Sequence, residues 1–170
     1  MITKEELWAM IPEFPQYQVS SYGRIYNSRF GRMLRTSRTT EGHVKVNLVS
    51  DRDQKKHTRS VPKLVAEAFV EPPTPRCDCV VLLDGDLFNV NAENLVWRPN
   101  WFAWKYARQV KTQQPDHYYN LPIINTVTGD KYDSIIETGM TEGLLFDDIW
   151  RSTYTGASIF PNTGIYAVDK

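Results

Sequence analysis

Residues 80 to 97 read VVLLDGDLFNVNAENLVW. With Cys79 in front, the stretch opens as a continuous apolar run, CVVLL, which is too short for a helix and is stopped by Asp84 and Gly85. That is the pattern of a buried strand running into a turn. The Asp-Gly-Asp triplet, residues 84 to 86, fits a turn whose carboxylates hold backbone amides. Asn94, just ahead of Leu95 and Trp97, fits a cap or loop tie. Helices are expected on both sides. Upstream, Pro62 to Phe69 (PKLVAEAF) has proline in the first turn and Leu64, Val65, Ala68 and Phe69 on one face, and EPPTPR, residues 71 to 76, stops it. Downstream, Asn100 to Gln113 carries Phe102, Tyr106 and Val110 along one stripe and Lys105, Arg108 and Lys111 along another, and then ends in QQP, a linker.

Toward the N-terminus, Tyr17 to Ser20, Gly23 to Tyr26 and His43 to Val49 alternate in the manner of half-buried antiparallel strands separated by polar turns. Toward the C-terminus, a strand is expected at Leu121 to Thr126 and a turn at Thr128 and Gly129. A capping box of Ser134 with Glu137 then starts two short helices. Leu145 with Ile149 and Phe146 with Trp150 are apolar pairs on the second helix, and a last strand covers Ile165 to Val168. The fold class is therefore α+β: a small antiparallel sheet, a strand-and-helix centre, a linking helix and a small C-terminal α/β unit. The expected divisions are 1–60, 61–114 and 115–170, with no internal repeat and no low-complexity tract.

The chain has 170 residues, 41% hydrophobic and 24% charged, which is ordinary globular composition and speaks against disorder. No apolar run approaches the length of a bilayer span, and MITKEELWAM carries acids where a signal peptide carries basic residues, so no membrane is expected and the expected location is cytoplasmic. Cys77 and Cys79 are too close to bond each other and too few for a thiolate zinc site.

The net charge of zero hides a segregation. Residues 1 to 114 hold 17 basic and 12 acidic side chains, whereas residues 115 to 170 hold 3 and 8. Residues 20 to 63 alone carry eleven Lys and Arg against three acids. Such a balance fits a phosphate-facing surface as well as a solvated sheet face. By the same electrostatics the acidic second half is a poor ligand for a polyanion.

Three stretches together resemble the HNH homing endonucleases of phage and intron DNA. IPEFPQYQVSSYGRIYNSRFGRMLR, residues 11 to 35, looks like that family's N-terminal strand module, and VPKLVAEAFVEPP, residues 61 to 73, is similar to its V-H-R-L-V-A-x-x-F helix. VVLLDGDLFNVNAENLVW matches the signature D/N-H-x-D-G-N/D followed by N-L-x-W, with Asp84, Gly85, Asp86, Asn89, Asn94, Leu95 and Trp97 in register. Residues 121 to 168 more weakly resemble a C-terminal helix-turn-helix repeat of the same family. The resemblance implies a ββα-metal site in which a histidine deprotonates water and one divalent cation stabilises the charge. It places the histidine at Leu82, the preceding Asp or Asn at Val81, a second metal-binding Asn at Ala103 and the helix His at Pro62. These four side chains neither accept a proton nor bind a cation. The expectation is an HNH-like pseudoenzyme with no catalytic residue, no metal and no cofactor.

A relocated site would use Asp84 and Asp86 for a cation and His43, His57 or His117 as base. His57, in KKHTR, reads as a surface residue, and His43 as a packing residue. Trp97, Trp101 and Trp104 read as core rather than base-stacking platforms. Three functions follow from the resemblance. The first is a DNA-binding protein of phage or mobile-element origin, holding double-stranded DNA through Arg24, Arg29, Arg35, Arg38, Lys45, Lys56 and Arg59. The second is a protein-interaction or virion component that docks through its acidic C-terminal unit, where Glu142, Asp147 and Asp148 face only Arg151 and where Phe146 and Trp150 are expected to be exposed. In that case the location extends to the phage particle. The third is a working metal-dependent endonuclease.

Overall fold

The structure is a computed structural model that describes residues 5–71, 74, 76–111 and 120–169. The chain divides into two compact units, one of Met1–Leu82 with Asp86–Pro99, the other of Leu83–Gly85 with Asn100–Lys170. The class is α+β, with small antiparallel sheets and four α-helices among the described residues.

The first unit opens with a four-stranded antiparallel meander, β1 (Trp8–Ile11), β2 (Phe14–Ser20), β3 (Ile25–Asn27) and β4 (Arg32–Met33). A second meander follows, made of β5 (Ser37–Arg38), β6 (Val44–Val49) and β7 (Lys56–Ser60). Helix α1 (Val61–Phe69) then leads to a two-stranded ladder, β8 (Cys79–Leu82) with β9 (Leu95–Arg98). Alternation explains β6: Val44, Val46 and Leu48 are buried while Lys45 and Asn47 are not. These side chains join Ile11, Phe14, Val19, Ile25, Val61, Leu64, Val65, Leu95 and Trp97 in one core. Helix α1 packs against β1, β2, β6, β7, β8 and β9, so its buried arc is wide. It includes Val61, Pro62 and Ala66, while Ala68, expected on the buried face, is exposed. Gly23 joins β2 to β3 at φ +78°, and a Cβ there would stand 2.2 Å from Val90 Cγ2, so only glycine fits.

In the second unit, α2 (Asn100–Lys111) buries Phe102 and Tyr106. The Tyr106 hydroxyl lies 2.8 Å from the carbonyl of Leu83, which ties residues 83 to 85 to this unit. Strands β10 (Ile123–Asn125), β11 (Lys131–Tyr132) and, after two helices, β12 (Tyr166–Val168) form a sheet in the order β11-β10-β12. Helix α3 (Ile135–Glu142) starts at the expected capping box, with the Glu137 N–H donating to Ser134 Oγ at 3.0 Å. Helix α4 (Phe146–Thr155) covers a core of Ile123, Ile135, Leu144, Phe146, Ile149 and Tyr166. The expected QQP linker and His117 lie outside the described residues. Among the described residues no helix is long and apolar enough to cross a membrane.

Candidate functional site

The ladder of β8 with β9 pairs Leu82 with Leu95, Val81 with Val96, Val80 with Trp97 and Cys79 with Arg98. Val80 and Leu82 pack against the first unit's core, and Val81, on the other face of the strand, is buried. Burial, and next the Asp78 carboxylate, push the Cys79 thiol above its ordinary pKa, which keeps it protonated and unreactive. Pro62 is buried in the first turn of α1. In the second unit Ala103 is half-buried on α2. Asp86 acts as a turn residue: its Oδ1 accepts the Phe88 N–H at 2.9 Å. Asn94 is buried, and its amide donates to the Asn89 carbonyl at 2.7 Å, the expected loop tie. Gly85 sits at φ +71°, where a Cβ would meet Val110 Cγ1 at 2.2 Å.

The two described histidines, His43 and His57, are not gathered into a site. His57 lies 3.2 Å from Asp53 and packs its ring 5.8 Å from that of Phe14. A hydrogen bond from the Lys55 N–H, with His57 alongside, holds the Asp53 carboxyl below its usual range. His43, expected to pack, is exposed at the entrance to β6. Among the described residues no group of three or more His, Cys, Asp or Glu could hold a metal ion.

Strand register sorts the predicted cations. Lys45 and Lys56 face outward on β6 and β7, whereas Arg38 and Arg59 pair with Val44 and Val46 and so leave from the core side of the same sheet. There the Arg38 guanidinium lies 4.0 Å above the exposed Phe88 ring and that of Arg59 lies 5.1 Å from Phe14. Arg59 is also paired with Glu13 at 2.9 Å. Arg24 donates to Glu6 at 2.8 Å and lies over Trp8. Arg29 and Arg35 are exposed on and after the β3–β4 hairpin. The seven cations are all in the first unit, but not in one continuous strip.

Residues 6–49, from before β1 to the end of β6, match the NUMOD4 motif. An uncharacterized HNH endonuclease, L245, of Acanthamoeba polyphaga mimivirus is 34% identical over 97 residues, or 57% of this chain. The chain spans 27% of that relative's length. A structure reported as DNA binding and cleavage by the HNH homing endonuclease I-HmuI aligns with a TM-score of 0.55 and 24% identity, covering 96% of this chain and 98% of the other. The chain has the fold of an HNH homing endonuclease.

Within this HNH fold, the positions that the resemblance assigns to base and metal are Leu82, Val81 and Ala103, with Pro62 on the helix. Aliphatic side chains offer no lone pair, so they do not fit the divalent cation that the fold family implies. The aromatic residues divide between core and surface. Trp97 is buried as expected, but Trp101 and Trp104 are 56% and 64% exposed. The buried stripe of α2 is Phe102 with Tyr106, and positions 101, 104, 105 and 108 fall on the opposite face, where Lys105 and Arg108 lie 5.6 Å from the two indole rings. Phe146, expected to be exposed, is in the second core, while Tyr154 is the exposed ring of α4. Not singled out from sequence were Arg32, Phe30 and Phe88. NSRFGR, residues 27 to 32, held the signal, an apolar ring between two arginines in a turn.

Proposed function

We propose that this chain binds double-stranded DNA through its first unit and does not cut it by ββα-metal chemistry. Arg35, Arg38, Lys45 and Lys56 act as phosphate contacts, with Arg24, Arg29 and Arg59 beside them but each paired with a carboxylate, and Pro62, Val81, Leu82 and Ala103 stand without reagents at the positions that the resemblance assigns to base and metal. The reading rests on one contrast. Exposed cations persist along the segment that matches NUMOD4, whereas Leu82 is paired with Leu95 and packed on the core where the family's base belongs. Loss of a general base alone removes a factor of about 10² to 10⁴ from a hydrolysis rate. The similarity to I-HmuI, whose structure concerns DNA binding and cleavage, supports DNA as the partner.

In this reading residues 1–60 make the DNA contacts, 61–114 preserve the scaffold, and 115–170, with their acidic excess, stay off the duplex. The likeness to a viral protein and to a homing endonuclease supports a phage or mobile-element origin and action inside the host cell. Docking to a protein partner through the acidic unit loses support from both motivating aromatics, because Phe146 is buried and Trp150 packs partly buried against the second core. The test pairs two assays on one preparation. A mobility shift on linear duplex should weaken steeply with salt, and supercoiled plasmid should survive magnesium. Salt-independent binding rejects the first half of the reading, and magnesium-dependent nicking rejects the second.

A further inference from the structure

The tip of the β3–β4 hairpin carries an apolar ring. Phe30 lies in the turn of residues 28–31 and is 65% exposed, although β3 on one side of it is largely buried. The turn is tied down. Asn27, itself 4% exposed, accepts the Phe30 N–H on its Oδ1 at 3.1 Å, and the Ser28 N–H donates to the Gln16 carbonyl at 2.9 Å. Gly31 at φ +61° supplies the left-handed residue that closes the loop. Two guanidiniums accompany the ring, Arg29 at 5.8 Å and Arg32 at 5.6 Å from its centroid. Met33, the next residue along β4, is 50% exposed. An ordered turn that holds a phenyl group out in water, between two cations, gains no core packing from it.

We propose that Phe30 is a wedge that enters a base step of duplex DNA while Arg29 and Arg32 hold the phosphates beside it. This rests on the DNA-binding reading above and specifies how that surface engages its ligand. Apolar side chains inserted between base pairs unstack a step and kink the duplex, and a phenyl ring regains stacking on the exposed base faces. The flanking guanidiniums suit the phosphates on either side of such a step, because each offers a fork of donors to phosphate oxygens. Asn27 is the positioning residue: through the Phe30 N–H it fixes the height of the ring.

A wedge favours a step that is already weakly stacked, since less unstacking free energy is then required. Fluorescence anisotropy is read on two labelled duplexes of one sequence, one fully paired and one with a single central T·T mismatch. The full-length chain should bind the mismatched duplex about tenfold more tightly, because part of the unstacking is already done there. F30A should reduce that ratio to about one, with an unchanged melting temperature as evidence of folding, and F30W should restore it. R29Q/R32Q should lower the salt slope by about 0.9, the share of Arg32, because Arg29 only exchanges its Asp51 partner for phosphate. Equal affinity for both duplexes with a steep salt response overturns the wedge and leaves DNA binding standing, as does an F30A variant that keeps the preference. Absence of salt-dependent binding to either duplex overturns both. If F30A instead abolishes self-association of the chain and leaves the ratio intact, the tip is a contact between copies and the wedge is overturned.

Discussion

The salt dependence of DNA affinity follows from which cations the fold leaves available. Arg32, Arg35, Arg38, Lys45 and Lys56 have no carboxylate within ion-pair distance among the described residues, whereas Arg24 is held by Glu6, Arg59 by Glu13 and, at 4.0 Å, Arg29 by Asp51. If these five cations each neutralise one phosphate, log Kobs falls against log salt with a slope of about −4.5. Affinity should then drop about 500-fold on going from roughly 50 to 200 mM KCl. R32Q/R35Q/R38Q should reduce the slope to about −1.8, equivalent to a loss of about twelvefold over the same range. The same geometry predicts a gain: E6Q frees Arg24 and should steepen the slope by about 0.9, and E13Q should do the same through Arg59. Fluorescence anisotropy over a KCl series measures all of these. A wild-type slope near zero, or a triple variant with the wild-type slope, refutes the reasoning, and E6Q and E13Q variants with unchanged slopes refute the assignment of Arg24 and Arg59 as masked.

Other consequences concern stability. G23A forces alanine to φ +78° and into Val90, and the strain of about 1–2 kcal/mol plus overpacking of about 1–3 kcal/mol should lower the urea midpoint sharply. A variant within about 0.5 kcal/mol of wild type contradicts that packing. The hydroxyl of Tyr166 is buried without a hydrogen-bond partner among the described residues, so Y166F should stabilise by about 1 kcal/mol in chemical denaturation. Burial pushes the Tyr166 phenol up to about 12, so wild-type stability should hold up to the ordinary tyrosine value and fall as pH rises from there through about 12. Y166F should lessen that alkaline loss, read as melting temperature against pH. On α2, F102A should cost about 3–5 kcal/mol and W104A less than about 0.5, a contrast that inverts if Trp104 belongs to the core.

Much of the fold is legible where a residue pattern has one physical meaning. The apolar run at Cys79 to Leu82 is a strand as its length suggests, though only Val81 in it is buried and Cys79, Val80 and Leu82 are half-buried, and Ser134 with Glu137 marks a helix start by its own hydrogen bonds. Strand β7, KHTRS, carries no apolar alternation; its pairing is decided by β6, which lies beside it, and so it is invisible locally. Single-residue packing is the harder part. Trp101 and Trp104 look like core by composition, yet the phase set by Phe102 and Tyr106 turns them outward, a consequence available from helical spacing. Phe146 and Ala68 depend on which neighbouring elements cover each helix, which the helix sequence does not encode. The cations were legible as a cluster, but their partition by Glu6, Glu13, Phe88 and strand register is tertiary.

Leu82 bears most directly on the central claim, since its side chain packs on the core at the position that the resemblance assigns to the base. The decisive measurement is plasmid relaxation by a tag-free preparation that has first been shown to shift linear duplex. The account predicts that supercoiled DNA stays supercoiled with magnesium as it does with EDTA, while the same protein remains bound. Nicking that appears with magnesium and disappears with EDTA contradicts it.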